Sequence, residues 1–403
     1  MQYSPLFSSK LSKPQDITEL QSQTISWLRF PLALLVLLIH INPQNSSIFT
    51  PINTISFSNL TMANVYSIIG RTGFYLSGIA VPFFFLTSGY FFFYKLKSWN
   101  VECYKNKISK RLKTLAVPYI LWNLLTIFFV LLNKLLGVLL LHKPVTSFTD
   151  KLYELTDISG LLEYFWNYNT WDEGTFNILG WSTQMWGPIL YPLWFLRDLI
   201  IVSLLAPLIY YGIKYLKHYF IIIIGAAYIV NICSIPGLSI TGIFYFSAGA
   251  YLSLNQKNIV ETFRPVRKVS WILAICLLFI TVAFDGGLIA TITKQLYCIA
   301  GIISIVILTS SFLEKGKIAV RPQLAQTSFF IYALHTMPLI RFSCLALAVA
   351  ITKKSFFASQ YAAGSIISYL TAPLLGSAFC LVIFLLMKRF APRFLNLLTG
   401  DRN

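Results

Sequence analysis

The chain has 403 residues, of which 56% are hydrophobic and only 11% are charged. A soluble protein carries roughly 25% charged residues. This composition therefore argues against a chain built from soluble globular domains and indicates a polytopic membrane protein. The net charge of +18 would suit a nucleic-acid-binding protein. However, most of the lysines and arginines fall on alternate connections between apolar segments, which is the pattern of the positive-inside rule and argues against a nucleic-acid partner.

The N-terminal segment 1–25 is polar and predicted to be cytoplasmic, and the apolar run after it lacks a small-residue cleavage site, so it is predicted to be a retained helix. A membrane domain is predicted over 26–390, with an outward-facing segment at 142–191 and a cytoplasmic tail at 391–403. The predicted fold is all-α, a polytopic membrane helical bundle of about ten transmembrane helices with both termini cytoplasmic. The windows are 26–42, 72–94, 115–141, 192–211, 219–235, 238–254, 269–285, 288–313, 327–350 and 363–388.

The first predicted helix carries two ionisable residues, Arg29 and His40, in the segment RFPLALLVLLIH. At 100° and 1.5 Å per residue they share one helix face and stand about 16 Å apart along the axis. Ionisable residues inside a membrane are costly and usually functional. The alternative is structural, with a histidine hydrogen-bonded to a neighbouring helix and an arginine extending to the headgroups.

Four further segments follow in chain order: GIAVPFFFLTSGY at 78–90, KRLKTLAVPYILWN at 110–123, WFLRDL at 194–199 and SFFIYALH at 328–335. Together with the arginine, ten intervening residues and histidine of the first helix, they resemble the acyltransferase 3 family of bacterial integral-membrane acyltransferases. The resemblance implies a multi-pass enzyme of the bacterial inner membrane. It would move a short acyl group, acetyl foremost and succinyl as the alternative, from cytoplasmic acyl-CoA to a hydroxyl of a cell-surface carbohydrate or its lipid-linked precursor.

The resemblance and the chemistry of acyl transfer suggest roles for the two first-helix residues. A hydroxyl acceptor needs a base, and the unperturbed pKa of histidine lies near neutrality, so His40 is the predicted general base or a transient acyl acceptor. Arg29 is predicted to steady charge on the donor or on the oxyanion.

Basic residues before the third predicted helix are candidates for docking the donor phosphates: Lys107, Lys110, Arg111 and Lys113. Ordinary topogenic charge or contact with anionic lipid is the alternative. Many relatives carry two arginines three residues apart here, whereas this chain has Arg111 followed at that spacing by Thr114. Lysine cannot reproduce the bidentate guanidinium fork, so only a general anion-binding role carries over.

Two other motif residues allow both functional and structural interpretations. Asp198 could pair with Arg29, could orient His40, or could form a packing salt bridge with another basic residue. His335 could contact the donor arm or make a structural hydrogen bond. In the second motif, Ser88 and Gly89 are more typical of small-residue helix packing than of a nucleophile.

Aromatic residues concentrate in and after the outward-facing segment, and Trp181, Trp186 and Trp194 are candidates for stacking on the sugar rings of the acceptor. An interfacial aromatic belt is the alternative for this group, which also includes Tyr191. The six cysteines lack metal-ligand or disulfide spacing, so no metal is predicted.

Two competing function classes remain compatible with the sequence. A transporter or flippase of glycan intermediates would also use many helices and buried charge, although paired broken helices in corresponding halves of the chain are not evident. A membrane-embedded sensor with a vestigial site is the third class, and the presence of both Arg29 and His40 weighs against it.

Overall fold

The computed structural model describes residues 16–40, 62–96, 98–168, 174–178, 181–185, 187–232, 234–284, 287–337 and 361–401, together with the single residues 340, 347 and 350. The described chain is almost entirely helical, with two small antiparallel hairpins, so the predicted all-helical class is confirmed. Trp186 and much of the predicted ninth helix, 327–350, lie outside the described residues.

Seventeen helices are numbered here in chain order within the described residues. They are α1 Ile17–His40, α2 Met62–Ser77, α3 Ala80–Phe93, α4 Val101–Arg111, α5 Val117–Leu141, α6 Thr146–Thr156, α7 Ile158–Trp166, α8 Trp194–Leu204, α9 Ala206–Leu216, α10 His218–Ile229, α11 Ile240–Leu254, α12 Ile259–Phe263, α13 Arg267–Ala283, α14 Gly287–Glu314, α15 Pro322–Leu334, α16 Tyr361–Phe390 and α17 Pro392–Thr399. The strands are β1 Gly174–Ile178, β2 Trp181–Met185, β3 Ser234–Ile235 and β4 Leu238–Ser239.

Six helical segments within the described residues are long and apolar enough to cross a membrane, and the bent pair α8–α9 would make a seventh. The helices α10 and α11 are apolar but shorter. The predicted count of ten spans and the orientation of the termini therefore stay predictions. The six segments are Ile17–His40, Asn64–Phe93, Val101–Leu141, Ile259–Ala283, Gly287–Glu314 and Ile366–Phe390.

Several helix boundaries differ from the predicted windows. The second window was predicted to begin at 72, but α2 begins at Met62 and a break near Gly78 separates it from α3. The basic segment before the third window is itself helical, because α4 continues through a π-helical turn at Leu112–Ala116 into α5. The window 192–211 is bent by 58° between α8 and α9. Pro207 lies at the start of α9, where its missing N–H favours such a break.

Pro236 and Gly237 separate the predicted windows 219–235 and 238–254, and a Pro-Gly pair predicts a tight turn there. The structure confirms this turn. β3 and β4 pair in antiparallel register around it, with Ile235 opposite Leu238. Gly237 has a φ of +91°, a conformation that side-chain-bearing residues rarely adopt. The turn therefore separates α10 from α11 where the sequence indicated.

The first helix is central to the bundle and packs against α2, α3, α14, α15 and α16. Its apolar residues Leu28, Leu32, Val36 and Leu37 are buried in the main core. At the other end of the chain, α17 docks on α5, where the indole of Trp122 donates a hydrogen bond of 2.9 Å to the carbonyl of Leu398. The functional residues of α1 are therefore held between several helices.

Close packing of α3 against α11 depends on two glycines. A Cβ atom added to Gly89 would lie 2.0 Å from the carbonyl oxygen of Phe246, and one added to Gly249 would lie 1.9 Å from that of Leu86. Both contacts are with backbone, which cannot move aside as a flexible side chain can. The packing role predicted for Gly89 is thus confirmed.

Gly89→Ala is expected to destabilise the protein because the new methyl group forces α3 and α11 apart. Overpacking of this kind costs about 1–3 kcal/mol. Thermal unfolding of the detergent-solubilised protein should show a lower Tm than that of the wild type. Gly137→Ala is the matched control, since its Cβ would meet only the flexible side chain of Lys143, at 3.3 Å. Equal Tm values for the two variants would contradict the proposed packing.

Candidate active site

The two ionisable residues of the first helix lie on one continuous helix, as the spacing required. Arg29 is in the middle of α1 and His40 is its last residue. Because the helix is unbroken between them, the shared face and the axial separation of about 16 Å follow from helix geometry. The two side chains consequently occupy different depths of the bundle.

The imidazole of His40 lies against two other rings. Its centroid is 5.3 Å from that of His335, and 5.9 Å from that of Tyr191 in an edge-on arrangement. His335 is fully buried at the end of α15. Its Nδ1 is 3.1 Å from the carbonyl oxygen of Ile331, and because a carbonyl only accepts, Nδ1 carries the proton and donates. In the neutral ring Nε2 is then the basic nitrogen.

A tyrosine connects these rings to the rest of the site. Tyr332 is buried on α15, its ring centroid is 6.3 Å from that of His335, and its hydroxyl donates a hydrogen bond to the carbonyl of Pro192. Pro192 follows Tyr191 in the short 3-10 turn Tyr191–Leu193. The turn that places Tyr191 beside His40 is therefore hydrogen-bonded to α15, the helix that has His335 at its C-terminal end.

Arg29 lines a cavity of about 390 Å³ that also receives Arg111 and is called the arginine cavity below. Tyr332 forms part of its wall, so the cavity borders the residue that contacts His335. Most of the lining is apolar or aromatic. The described lining residues are Arg29, Phe84, Thr87, Ser88, Phe91, Arg111, Leu115, Phe195, Leu199, Ala325, Gln326, Ser328, Phe329 and Tyr332.

Arg111 is held in place by the second motif. Its guanidinium donates hydrogen bonds to the hydroxyl oxygen of Ser88, at 2.7 Å, and to the carbonyl oxygen of Ser88, at 2.9 Å. It also lies 5.6 Å from the centre of the Phe92 ring. Ser88 thus fixes the second arginine of the cavity, a role that the sequence did not suggest.

The other three basic candidates do not line this cavity. Lys107 donates a hydrogen bond of 2.6 Å to the carbonyl of Phe92. Lys110 and Lys113 are exposed, and Lys107 and Lys110 border a separate depression on α4. Of the four basic residues predicted to dock the donor phosphates, the structure brings only Arg111 together with Arg29 in this cavity.

Asp198 is paired with its own sequence neighbour. Both side chains of the pair are buried, and a guanidinium nitrogen of Arg197 lies 3.1 Å from the Asp198 carboxylate. The other carboxylate oxygen accepts a hydrogen bond of 3.2 Å from the amide of Ser239. Arg197 also donates to the carbonyl of Trp166. These contacts join α8 to the β3–β4 hairpin and to α7, and favour the packing salt bridge over a direct role at His40.

The aromatic residues in and after the predicted outer segment lie in different environments. Trp194 is partly buried against the main core at the start of α8. Trp181 belongs to β2, and its side chain lies outside the described part of the structure. Among the described members of this group, Tyr191 lies beside His40.

Tyr164 and Tyr168 stack on each other, with ring centroids 4.2 Å apart, instead of lining the site. Lys151 and Tyr164 both donate hydrogen bonds to Glu154, and the contact with Lys151 holds the pKa of the Glu154 carboxyl below its usual range. This cluster ties α6 to α7.

Sequence reasoning missed Tyr332 and the role of Ser88. The spacing of Tyr332 and His335, three residues apart on one helix, was the available signal, because such pairs lie on the same face. Within the described residues, no group of three or more histidine, cysteine, aspartate or glutamate side chains could hold a metal ion.

Comparison with known proteins supplies the family. The acyltransferase domain model of the acyltransferase 3 family matches residues 23–389, which is nearly the whole chain and includes every site residue described above. No curated protein and no solved structure matches the chain significantly. By the extent of this match, the chain belongs to the acyltransferase 3 family of membrane acyltransferases.

Proposed function

We propose that the protein moves an acetyl group from cytoplasmic acetyl-CoA to a hydroxyl of a cell-surface carbohydrate or its lipid-linked precursor, in the bacterial inner membrane. The family assignment gives acyl transfer. The donor, the acceptor and the topology with both termini cytoplasmic are parts of the proposal, supported by the distribution of basic residues and by the arrangement of the site.

The arginine cavity supports an anionic donor with an uncharged arm. Arg29 and Arg111 place two permanent cations in a cavity that is otherwise mostly apolar and aromatic. An arginine side chain is much shorter than the axial distance of about 16 Å between Arg29 and His40. Arg29 is accordingly assigned to binding of the donor, and stabilisation of the oxyanion is assigned to groups near His40.

The transfer step uses the basic nitrogen of His40. In the direct route, this nitrogen takes the proton from the acceptor hydroxyl as the oxygen attacks the thioester carbonyl carbon. The tetrahedral intermediate then collapses, the carbon–sulfur bond breaks, and the thiolate receives the proton from the imidazolium. The products are an ester and free CoA. An acyl-histidine intermediate would give the same products in two displacements.

The observation that carries this proposal is the placement of His40 and Arg29 on one face of α1, with Arg29 in a cavity whose wall leads through Tyr332 and His335 to the His40 ring. The test is release of free CoA thiol from acetyl-CoA by the purified protein in detergent or nanodiscs, with and without candidate glycans. We expect thiol release that depends on the glycan and appearance of an acetyl ester on it.

Failure to bind or consume acetyl-CoA and other short acyl-CoA donors with any glycan would contradict the proposal. The bend between α8 and α9 is a feature also found in transporters. Movement of a labelled glycan lipid across proteoliposomes without ester formation would support the transporter alternative.

A further inference from the structure

A second depression lies directly beside the arginine cavity. It has a volume of about 480 Å³ and lies between the middle of α1 and the segment that leads into α15. It is called the basic depression below, because Lys317 and Arg321 contribute its two cations. The described lining residues are Ser26, Trp27, Phe30, Pro31, Lys317, Ile318, Ala319, Arg321, Leu324 and Ala325.

The two cavities share a wall. Ala325 lines both of them. Its two neighbours on α15 line different cavities: Leu324 lines the basic depression and Gln326 lines the arginine cavity. The same division occurs on α1, where Arg29 faces the arginine cavity and Phe30 faces the basic depression. A single extended ligand that crosses Ala325 could therefore occupy both.

The lining of the basic depression suits a nucleotide carrying several phosphates. Lys317 and Arg321 are exposed, and the guanidinium of arginine can bind a phosphate in bidentate fashion. Trp27 supplies a partly buried aromatic face of the kind on which bases stack. The two cations and the aromatic face thus favour an anion that also has an aromatic part.

A partly buried glutamine, Gln326, lies on the arginine-cavity side of the shared wall. The carboxamide oxygen of Gln326 is inaccessible to solvent and accepts no hydrogen bond from the described residues. An unsatisfied buried acceptor is costly, so a donor from a bound ligand would stabilise it. The arm of CoA between the nucleotide and the thioester contains amide N–H groups, which can supply this hydrogen bond once the Gln326 carboxamide turns toward the cavity.

We propose that the basic depression binds the phosphorylated adenosine end of acyl-CoA, with phosphate on Lys317 and Arg321 and the adenine against Trp27, while the arm crosses Ala325 past Gln326 into the arginine cavity. The inference rests on the proposed function and names the nucleotide part of that donor site. It also places the nucleotide between α1 and the segment that leads into α15, instead of on the lysines of α4 and of the π-helical turn after it.

The test compares acetyl-CoA with acetyl-dephospho-CoA, which lacks only the 3′-phosphate, in the double variant Lys317→Gln with Arg321→Gln. We expect KM for acetyl-CoA to rise about tenfold, the size expected for a lost hydrogen bond to a charged group, with little change in kcat. The preference of the wild type for acetyl-CoA over the dephospho donor should largely disappear. Arg267→Gln with Lys268→Gln is the matched control, because both residues are exposed and line neither cavity.

Three outcomes would overturn the assignment. The double variant could keep the wild-type preference for the 3′-phosphate. The preference could instead disappear when Lys107, Lys110 and Lys113 are neutralised, which would place the nucleotide on α4. The effect could also occur only in nanodiscs containing an anionic lipid and act equally on both donors, which would identify a lipid headgroup as the occupant.

Failure of the proposed function itself would be distinguishable from these results. A folded wild-type protein that neither binds nor consumes acetyl-CoA would contradict the proposed donor and this inference together. An active wild type with an unchanged double variant would contradict only the location of the nucleotide.

Discussion

His40→Ala is expected to abolish measurable acyl transfer while leaving a folded protein. Removing a general base typically costs about 10²- to 10⁴-fold in rate, and an acyl-histidine route would be lost altogether. His40 is half-buried at the end of α1, so its loss leaves a small space beside His335 and Tyr191 without disturbing the helix core. The measurement is CoA release together with acetyl ester formation, at matched amounts of monodisperse protein.

His335→Ala is the informative comparison for this prediction. His335 contacts His40 but has its Nδ1 hydrogen-bonded to the backbone of its own helix. We therefore expect reduced but measurable turnover, with a smaller fold-change in the KM for the donor than in kcat. A fully active His40→Ala variant would contradict the assignment of the base. If His335→Ala is inactive and His40→Ala keeps part of its activity, His335 is the general base and His40 is the residue that supports it.

Asp198→Ala is expected to cause a large loss of stability. The carboxylate is 1% exposed and neutralises Arg197, which is 3% exposed. Removing one partner of a buried ion pair costs about 3–5 kcal/mol, because the other charge is left uncompensated. The Ser239 amide at the β3–β4 hairpin loses its acceptor at the same time. Thermal unfolding and the yield of monodisperse protein measure this effect.

The double variant Arg197→Met with Asp198→Leu separates a structural role of this pair from a role in orienting His40. Replacing both members of a buried pair by apolar residues of similar size is often neutral or stabilising. We expect the double variant to recover much of the Tm and to retain transfer activity. A stable double variant with wild-type donor KM and greatly lowered kcat would instead show that Asp198 acts on His40.

Local sequence features predicted the structure correctly where the geometry depends only on the helical repeat or on a single turn. The spacing of Arg29 and His40 placed them on one face because an apolar helix of that length has a fixed rotation per residue. Pro236 and Gly237 indicate a turn because proline restricts φ to the value of the first central position and glycine accepts a positive φ at the second, and the structure has the turn there. As a small residue in an apolar helix, Gly89 predicts close helix packing, and the structure places it against the backbone of Phe246.

Spacing along one helix was insufficient where long side chains decide the contacts. Helix rotation places Arg197 and Asp198 about 100° apart, so their spacing alone does not predict a contact between the two side chains. The flexible arginine side chain nevertheless returns to the neighbouring carboxylate. Similarly, all four basic residues at 107–113 are candidates for docking the donor phosphates by sequence, but only Arg111 donates hydrogen bonds to Ser88 and lines the arginine cavity.

The sequence alone determined that this is a helical membrane protein of the acyltransferase 3 type, with an arginine and a histidine aligned on its first helix. Hydropathy, charge distribution and motif order are properties of the chain itself and need no knowledge of which helices meet. Only the tertiary structure brought Tyr191 and His335 to His40, and only it joined the cavities of α1 and α15 at Ala325. Such contacts depend on helix crossings between segments that are distant along the chain, and no local pattern specifies those crossings.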